Sequence, residues 1–223
     1  QVVTVDIPRA AQDVRQAFAR EARAHPSVRT VSVANGVPGR YDGWIEMAPD
    51  RLSPEHNVSR RDSSVRYAVS VVDSNYVDLL GLDLVAGGPI DTRQGTGRAV
   101  LLNERGAEAL GWTPEEAVGK PFSFDDGQRT VIGVVDDYHL LSLHQQIMPV
   151  ALLLGTTEKW SSSFLLAARL AGDNIRTGLD HLRQSFSTVA PKSSFEHAFL
   201  DDTFEEAYRS ERRLGRERLG ARR

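Results

Sequence analysis

Apolar and polar residues alternate at the start of the chain and then recur with a helical period. The alternation in residues 2–7 predicts a strand that Pro8 ends. Residues 9–24 carry an apolar face, which includes Val14 and Phe18, opposite an arginine-rich face, as in an amphipathic helix. A second strand over residues 28–33 completes a β-α-β unit.

The end of the chain repeats this order. Residues 163–170 predict a strand, and the helix after it begins near Asp173. One face of that helix carries an apolar stripe formed by Ile175, Leu179, Leu182, Phe186 and Val189. Pro191 ends the helix, residues 195–200 predict the returning strand, and a last helix is expected to begin at Asp201 or Thr203.

Short strands and short helices fill the middle of the chain. Strands are expected at residues 65–72, 82–85, 99–103, 122–124, 130–135 and 150–154, and helices after Asp73 or Ser74, at 104–110 and after Thr113. Residues 40–66 are expected to form a hairpin or a long loop. The pattern predicts an α+β fold: residues 1–38 and 163–210 form a split α/β subdomain of two β-α-β units, and residues 39–162 form an inserted, mixed, strand-rich subdomain.

Composition supports a folded, globular segment. The chain has 223 residues, of which 40% are hydrophobic and 26% are charged with mixed sign, so it can bury a substantial core. No cysteine is present, which excludes disulfides, thiolate zinc sites and cysteine nucleophiles. No apolar stretch reaches the roughly 18 residues that a membrane-spanning helix requires.

Charge is distributed unevenly. The net charge is -3, but residues 211–223 hold six arginines against two glutamates, a local charge of +4, so the first 210 residues carry -7. This basic extension is expected to be a solvated continuation of the last helix, with contact to phospholipid headgroups or nucleic acid as the alternative. An acidic body gives no indication of a nucleic-acid partner.

One cluster of residue types resembles a metal or acid-base site. His139 and His144 follow Asp136 and Asp137 at what is expected to be the exit of a strand. The histidines are five positions apart, whereas helical metal-binding pairs are four apart, so we expect these side chains to tie a loop to the strand end. A metal-binding or catalytic role is the alternative, and no catalytic, cofactor-binding or metal-binding residue is assigned.

Five segments resemble, in order and spacing, the periplasmic core domain of MacB-like, FtsX-type ABC transporter permeases. They are VDSNYVDLLGLDLVAGGPI (72–90), AVLLNERGAEALGW (99–112), VGKPF (118–122), VIGVVDDYHLLSLHQQIMP (131–149) and FLDDTFEEAYRSERRLG (199–215). The resemblance implies a porter-like part made from both ends of the chain and a sabre-like part inserted between them. The chain departs from the family at Arg216, Glu217 and Arg218, where the family pattern turns apolar and enters the membrane.

The resemblance also implies a function. Such a domain lies between the first and second of four membrane helices, on the periplasmic or extracellular side, and has no enzymatic activity or cofactor of its own. Its expected partners are an ABC ATP-binding subunit, a second permease copy in a homodimer or pseudo-dimer, and a periplasmic protein. Both termini are then expected to lie close together on the membrane-facing side.

Two other functions remain open from the residues. An extracytoplasmic ligand-binding sensor domain also lies between two membrane helices and mixes helices with a sheet. A hydrolase or metal enzyme would use Asp136, Asp137, His139 and His144.

Overall fold

A computed structural model describes residues 1–8, 14–41, 44–47, 65–90, 98–124, 127–140, 145–155, 164–172, 174–203 and 205. Its strands are β1 (Val2–Ile7), β2 (Val28–Ala34), β3 (Trp44–Met47), β4 (Val65–Val72), β5 (Leu84–Gly87), β6 (Ala99–Asn103), β7 (Pro121–Phe124), β8 (Gly127–Val135), β9 (Val150–Leu154), β10 (Phe164–Leu170) and β11 (His197–Phe199). Its helices are α1 (Arg15–Arg23), α2 (Tyr76–Leu80), α3 (Glu104–Ala109), α4 (Pro114–Ala117) and α5 (Ile175–Val189).

Strands from the two ends of the chain pair with one another. β10 lies between β1 and β2, antiparallel to both, and β11 pairs antiparallel with the other edge of β1. β1 and β2 are therefore parallel but separated by β10, and the two β-α-β units interleave instead of standing side by side. This interleaving joins the head and tail of the chain into one four-stranded layer.

Strands from the middle of the chain continue the same sheet. Their order is β4-β9-β6-β8-β5, with β3 paired to β4 and β7 paired to β8. β4 is parallel to β9 and β6 is parallel to β8, while the β9–β6 and β8–β5 pairs are antiparallel. The structure therefore has the predicted mixed α+β class. The boundaries at residues 38, 162 and 210 stay a prediction, because one sheet runs through both parts.

Each face of the sheet buries an apolar core. Helices α1, α3, α4 and α5 cover one face, where Phe18 of α1 meets Phe186 of α5 edge to face with 5.2 Å between ring centroids. Helix α2 covers the other face, on which Tyr76 and Leu79 are fully buried. A sheet that is covered on both faces needs strands with apolar residues on both sides. Strand β8 shows this, because Val134 lies in the core on the α1 and α5 side and Val135 lies in the core on the α2 side.

Several element boundaries differ from the sequence expectations. β5 begins at Leu84 instead of residue 82, because the Leu82 amide donates to Val77 O at 3.0 Å and still belongs to the end of α2. β11 begins at residue 197 instead of 195, because Phe195 packs its ring against Phe186. The final helical turn begins at Leu200, before the expected caps.

Candidate functional site

The strand exit that carries Asp136 and Asp137 lies beside the start of α3. Asp136 and Asp83 form a reciprocal pair: the Asp136 amide donates to Asp83 O at 2.9 Å, and the Asp83 amide donates to the Asp136 carboxylate at 3.1 Å. The side chain of Asp136 thus holds the segment that leads into edge strand β5.

Asp137 holds the other side of the strand exit. Its carboxylate accepts bonds from the Asn103 side-chain amide at 2.8 Å and from the Arg105 backbone amide at 2.9 Å. The Arg105 guanidinium lies 3.4 Å from the second carboxylate oxygen of Asp137. The backbone amide of Asp137 donates to Glu104 Oε2 at 3.3 Å. Both aspartates therefore act as hydrogen-bond acceptors that tie the loop to its surroundings.

Asn103 is the centre of this network. The residue is fully buried. Its Oδ1 caps α3 by accepting from the Gly106 amide at 2.9 Å, and it also accepts from the Val150 amide at 2.7 Å. Its Nδ2 donates to Asp137 and, at 2.9 Å, to Met148 O. One side chain thus saturates its hydrogen-bonding capacity while joining β6, α3, β9 and the exit of β8.

The histidine pair considered as an alternative metal or acid-base site falls partly outside the described residues. His139 is described and half-buried, whereas His144 lies outside the described residues. Among the described residues, no group of three or more histidine, aspartate or glutamate side chains is placed to hold a metal ion. The assignment of these residues as structural stays a prediction.

Sequence reasoning missed a second polar cluster, around Asp73. Asp73 was expected to cap a helix. Helix α2 instead begins at Tyr76, after Asn75, and the Asp73 side chain contacts β2. Its carboxylate accepts from Ser32 Oγ at 2.7 Å, from the Val33 amide at 3.1 Å and from the Asn75 amide at 3.1 Å. Ser32 and Val33 are 41 and 40 positions away in sequence, so no local pattern could indicate them, whereas the Asn75 contact is local.

Electrostatics at Asp73 are set by burial. Burial raises the pKa of the Asp73 carboxyl above its ordinary value, and the hydrogen bonds from Ser32, Val33 and Asn75 and the positive charge of Arg23 oppose that shift. The Arg23 guanidinium lies 3.4 Å from the carboxylate and also donates to Val31 O at 3.0 Å. The cluster therefore joins helix α1, strand β2 and the turn after β4.

The two ends of the described chain leave the sheet at the same edge. Val3 of β1 pairs with Phe199 of β11 in antiparallel register, so Val2 lies next to Leu200, and both residues enter the same core. Residues 206–223 lie outside the described residues, so the expected proximity of the two termini stays a prediction. No helix among the described residues has the length and hydrophobicity to cross a membrane.

Comparisons with known proteins identify this architecture. No protein-family model matches the chain, and no curated protein matches it. The crystal structure of the periplasmic region of MacB from Actinobacillus actinomycetemcomitans is similar, with a TM-score of 0.59, 18% identity, and 90% of this chain and 89% of that chain covered. The extracellular domain of the noncanonic ABC-type transporter YknZ from Gram-positive bacteria also matches, with a TM-score of 0.59, 12% identity, and coverage of 89% and 99%.

These similarities extend over about nine-tenths of this chain and of the MacB region. At such low identity they establish the architecture and not the activity. The resemblance indicated by the five motifs is therefore confirmed at the level of the fold: the chain has the fold of the MacB-like periplasmic core domain.

Proposed function

We propose that the chain is a non-catalytic extracytoplasmic domain of an ABC transporter permease, which couples ATP hydrolysis in the cytoplasm to export or mechanical signalling outside the membrane. The fold supports this proposal, because both similar structures are exterior domains of proteins named as MacB and as an ABC-type transporter. The main support for this function is that the structural match to the periplasmic region of MacB covers about nine-tenths of both chains.

The geometry of the chain ends supports the same function. A domain inserted between two membrane helices must receive and return the chain on one side, and β1 and β11 meet this requirement as antiparallel neighbours. The domain would then be held at the periplasmic or extracellular face by helices that precede β1 and follow the turn at Leu200.

The partners follow from the proposed class. An ABC ATP-binding subunit would act through the membrane and cytoplasmic parts, a second permease copy would form a homodimer or pseudo-dimer, and a periplasmic protein would contact the exterior. Asp136 and Asp137 serve the fold in this proposal, because their carboxylates already accept bonds from Asp83, Asn103 and Arg105.

Accessibility labelling of the full-length protein tests the location. Asp78 is exposed on α2, whereas Leu101 is fully buried in β6, and the chain has no cysteine of its own. In a cysteine-free full-length background, Asp78→Cys should react with a membrane-impermeant maleimide on intact spheroplasts, and the Leu101→Cys control should react only after denaturation. Labelling of Asp78→Cys that requires cell lysis would refute an exterior location.

Co-purification tests the class of protein. The full-length protein should bring down an ATP-binding subunit, and the ATPase activity of that complex should change when residues 1–205 are replaced by a short linker. An ATP-independent receptor that is stabilised by a small ligand would instead support the sensor alternative.

A further inference from the structure

The end strands and the middle strands of the sheet are joined at a very short overlap. β2 and β4 pair at a single position, Ala34 with Val72, and each of these residues is the last of its strand. By contrast, β10 pairs with β2, and β4 with β9, along most of their lengths. The overlap is therefore the narrowest connection in the described sheet.

Side chains complete this overlap where backbone groups would normally do so. In an antiparallel ladder, the residue pairs that flank a non-hydrogen-bonded pair each exchange two backbone bonds. Here the Asn35 amide donates to Val71 O at 3.1 Å, but the Val71 amide returns its bond to Asn35 Oδ1 at 2.8 Å. Asn35 thus contributes one backbone bond and one side-chain bond to the tip of β4.

A side-chain oxygen also replaces a backbone acceptor on the other side of the overlap. The Asp73 amide donates to Val33 O at 3.2 Å, and the Val33 amide donates to Asp73 Oδ2 at 3.1 Å. The Asp73 side is more strongly held, because Ser32 and Arg23 also contact its carboxylate. The two sides of the overlap therefore differ in how firmly they are fixed.

Helix α2 strengthens the Asp73 side further. The Arg169 guanidinium of β10 donates through Nε to Leu79 O at 3.0 Å, and the buried Tyr76 hydroxyl donates to Gly36 O at 3.1 Å. Asn75 donates through Nδ2 to Val31 O at 3.1 Å. The turn after β4 and the whole of α2 are thus anchored to the end strands.

We propose that this overlap is a hinge in the sheet, in which Asp73 is the fixed pivot and Asn35 is the releasable latch. Opening breaks both bonds between Asn35 and Val71: rotation of the Asn35 side chain removes the acceptor of the Val71 amide, and the Asn35 amide then separates from Val71 O. Strand β4, with β9 and the strands beyond it, then turns about the Val72–Asp73 junction while α2 stays on the end strands. The segment between α2 and β5, which Asp83 ties to Asp136, moves with the middle strands. The hinge is a property of this chain and does not depend on the proposed function.

A second bond crosses between the two parts and reports the same opening. Gly39, in the turn after β2, donates its amide to Leu140 O at 2.7 Å, and Leu140 follows β8. Opening of the latch separates these groups as well. The amides of Val71 and Gly39 should therefore exchange with solvent through one shared event.

Hydrogen exchange of the chain, resolved by residue, tests the hinge. The amides of Val71 and Gly39 should exchange at least about tenfold faster than those of Leu152 in β9 and Leu166 in β10, because sub-global opening needs less free energy than unfolding. Asn35→Ala should accelerate Val71 and Gly39 further and leave the Val33 amide at the pivot unchanged.

A disulfide across the overlap provides the decisive control. Ala34 and Val72 form the non-hydrogen-bonded pair, whose short Cα separation suits a disulfide, and no other cysteine competes. In the oxidised Ala34→Cys/Val72→Cys variant, exchange at Val71 and Gly39 should fall to the rates of Leu152 and Leu166, and reduction should restore it. Val71 exchange that already equals Leu152 exchange in the unmodified chain, or that the disulfide leaves unchanged, would overturn the hinge.

Discussion

Asn103 Oδ1 accepts a hydrogen bond from the Val150 amide at 2.7 Å, across 47 positions of sequence. The same oxygen caps α3 through the Gly106 amide. One buried side chain therefore fixes the start of a helix and the start of the neighbouring strand β9 together. Removal of the Asn103 side chain should therefore disturb both elements at once.

Asn103→Ala should lower the free energy of unfolding by about 3 kcal/mol, because it leaves the Val150 and Gly106 amides buried without that acceptor. Urea unfolding followed by circular dichroism measures the loss. Asn174 is the matched control, since it is exposed at the start of α5 and makes no side-chain cap bond. Asn174→Ala should change stability by less than about 0.5 kcal/mol, and an equal effect of the two variants would contradict the network.

Gly87→Ala should destabilise the β5 edge, whereas the same change at Gly88 should be tolerated. Gly87 has φ +99°, and a Cβ there would lie 2.5 Å from Ile132 O and 2.7 Å from Gly133 Cα. At Gly88 a Cβ would meet nothing within 4 Å. We expect Gly87→Ala to cost more than about 1 kcal/mol and Gly88→Ala to be neutral or slightly stabilising. Thermal unfolding of the pair decides this, and similar midpoints would contradict it.

Thr113→Ala should remove the capping box at α4. The Glu116 amide donates to Thr113 Oγ1 at 3.3 Å, and the Thr113 amide donates to Glu116 Oε2 at 3.0 Å. The expected loss is about 1 kcal/mol in chemical denaturation. Thr188→Ala, at an exposed threonine in the last turns of α5, serves as the control and should change stability by less than about 0.5 kcal/mol. A loss at Thr113 no greater than at Thr188 would count against the cap.

Asp73 should give the chain a stability component that falls as pH rises. Burial raises its pKa in the folded state, so the folded chain holds this proton more tightly than the unfolded chain. The contribution is fully present below the unfolded pKa, about 4, and is lost as pH rises through the folded value. The stability of wild type minus that of Asp73→Asn should therefore decrease from acid towards neutral pH.

Urea unfolding of both proteins between about pH 4 and pH 7 measures this difference, and subtraction removes the titration of the other carboxylates. Asp78→Asn, on the exposed side of α2, is the matched control substitution. A difference that grows with pH would mean that the donors from Ser32, Val33, Asn75 and Arg23 outweigh burial.

Local patterns in the sequence were sufficient to find most elements. The apolar stripe of α5 packs as expected, with Leu182 and Phe186 fully buried, and the Thr113 and Asn103 caps are formed. These features are predictable because the residues that define them lie within a few positions of one another, where helical and strand periodicity act directly.

Long-range features could not be found in the same way. The insertion of β10 between β1 and β2 depends on which edges meet in space, and periodicity carries no information about strand order. The acceptor role of Asp73 likewise depends on Ser32 and Val33, far away in sequence, whereas the local pattern favoured a helix cap. The cluster at Asp136 and Asp137 was located correctly as a strand exit, but its partners Asp83 and Asn103 were not.

The antiparallel contact between β1 and β11 determines how the molecule would respond to pulling. Tension that separates the two chain ends would load the Val3–Phe199 pair first and peel the three-residue β11 away rung by rung, a mode that yields under weak force. Displacement of both ends in a common direction would load no rung and would carry the sheet as a unit. The domain should therefore resist a force that moves both chain ends together far better than a force that pulls them apart.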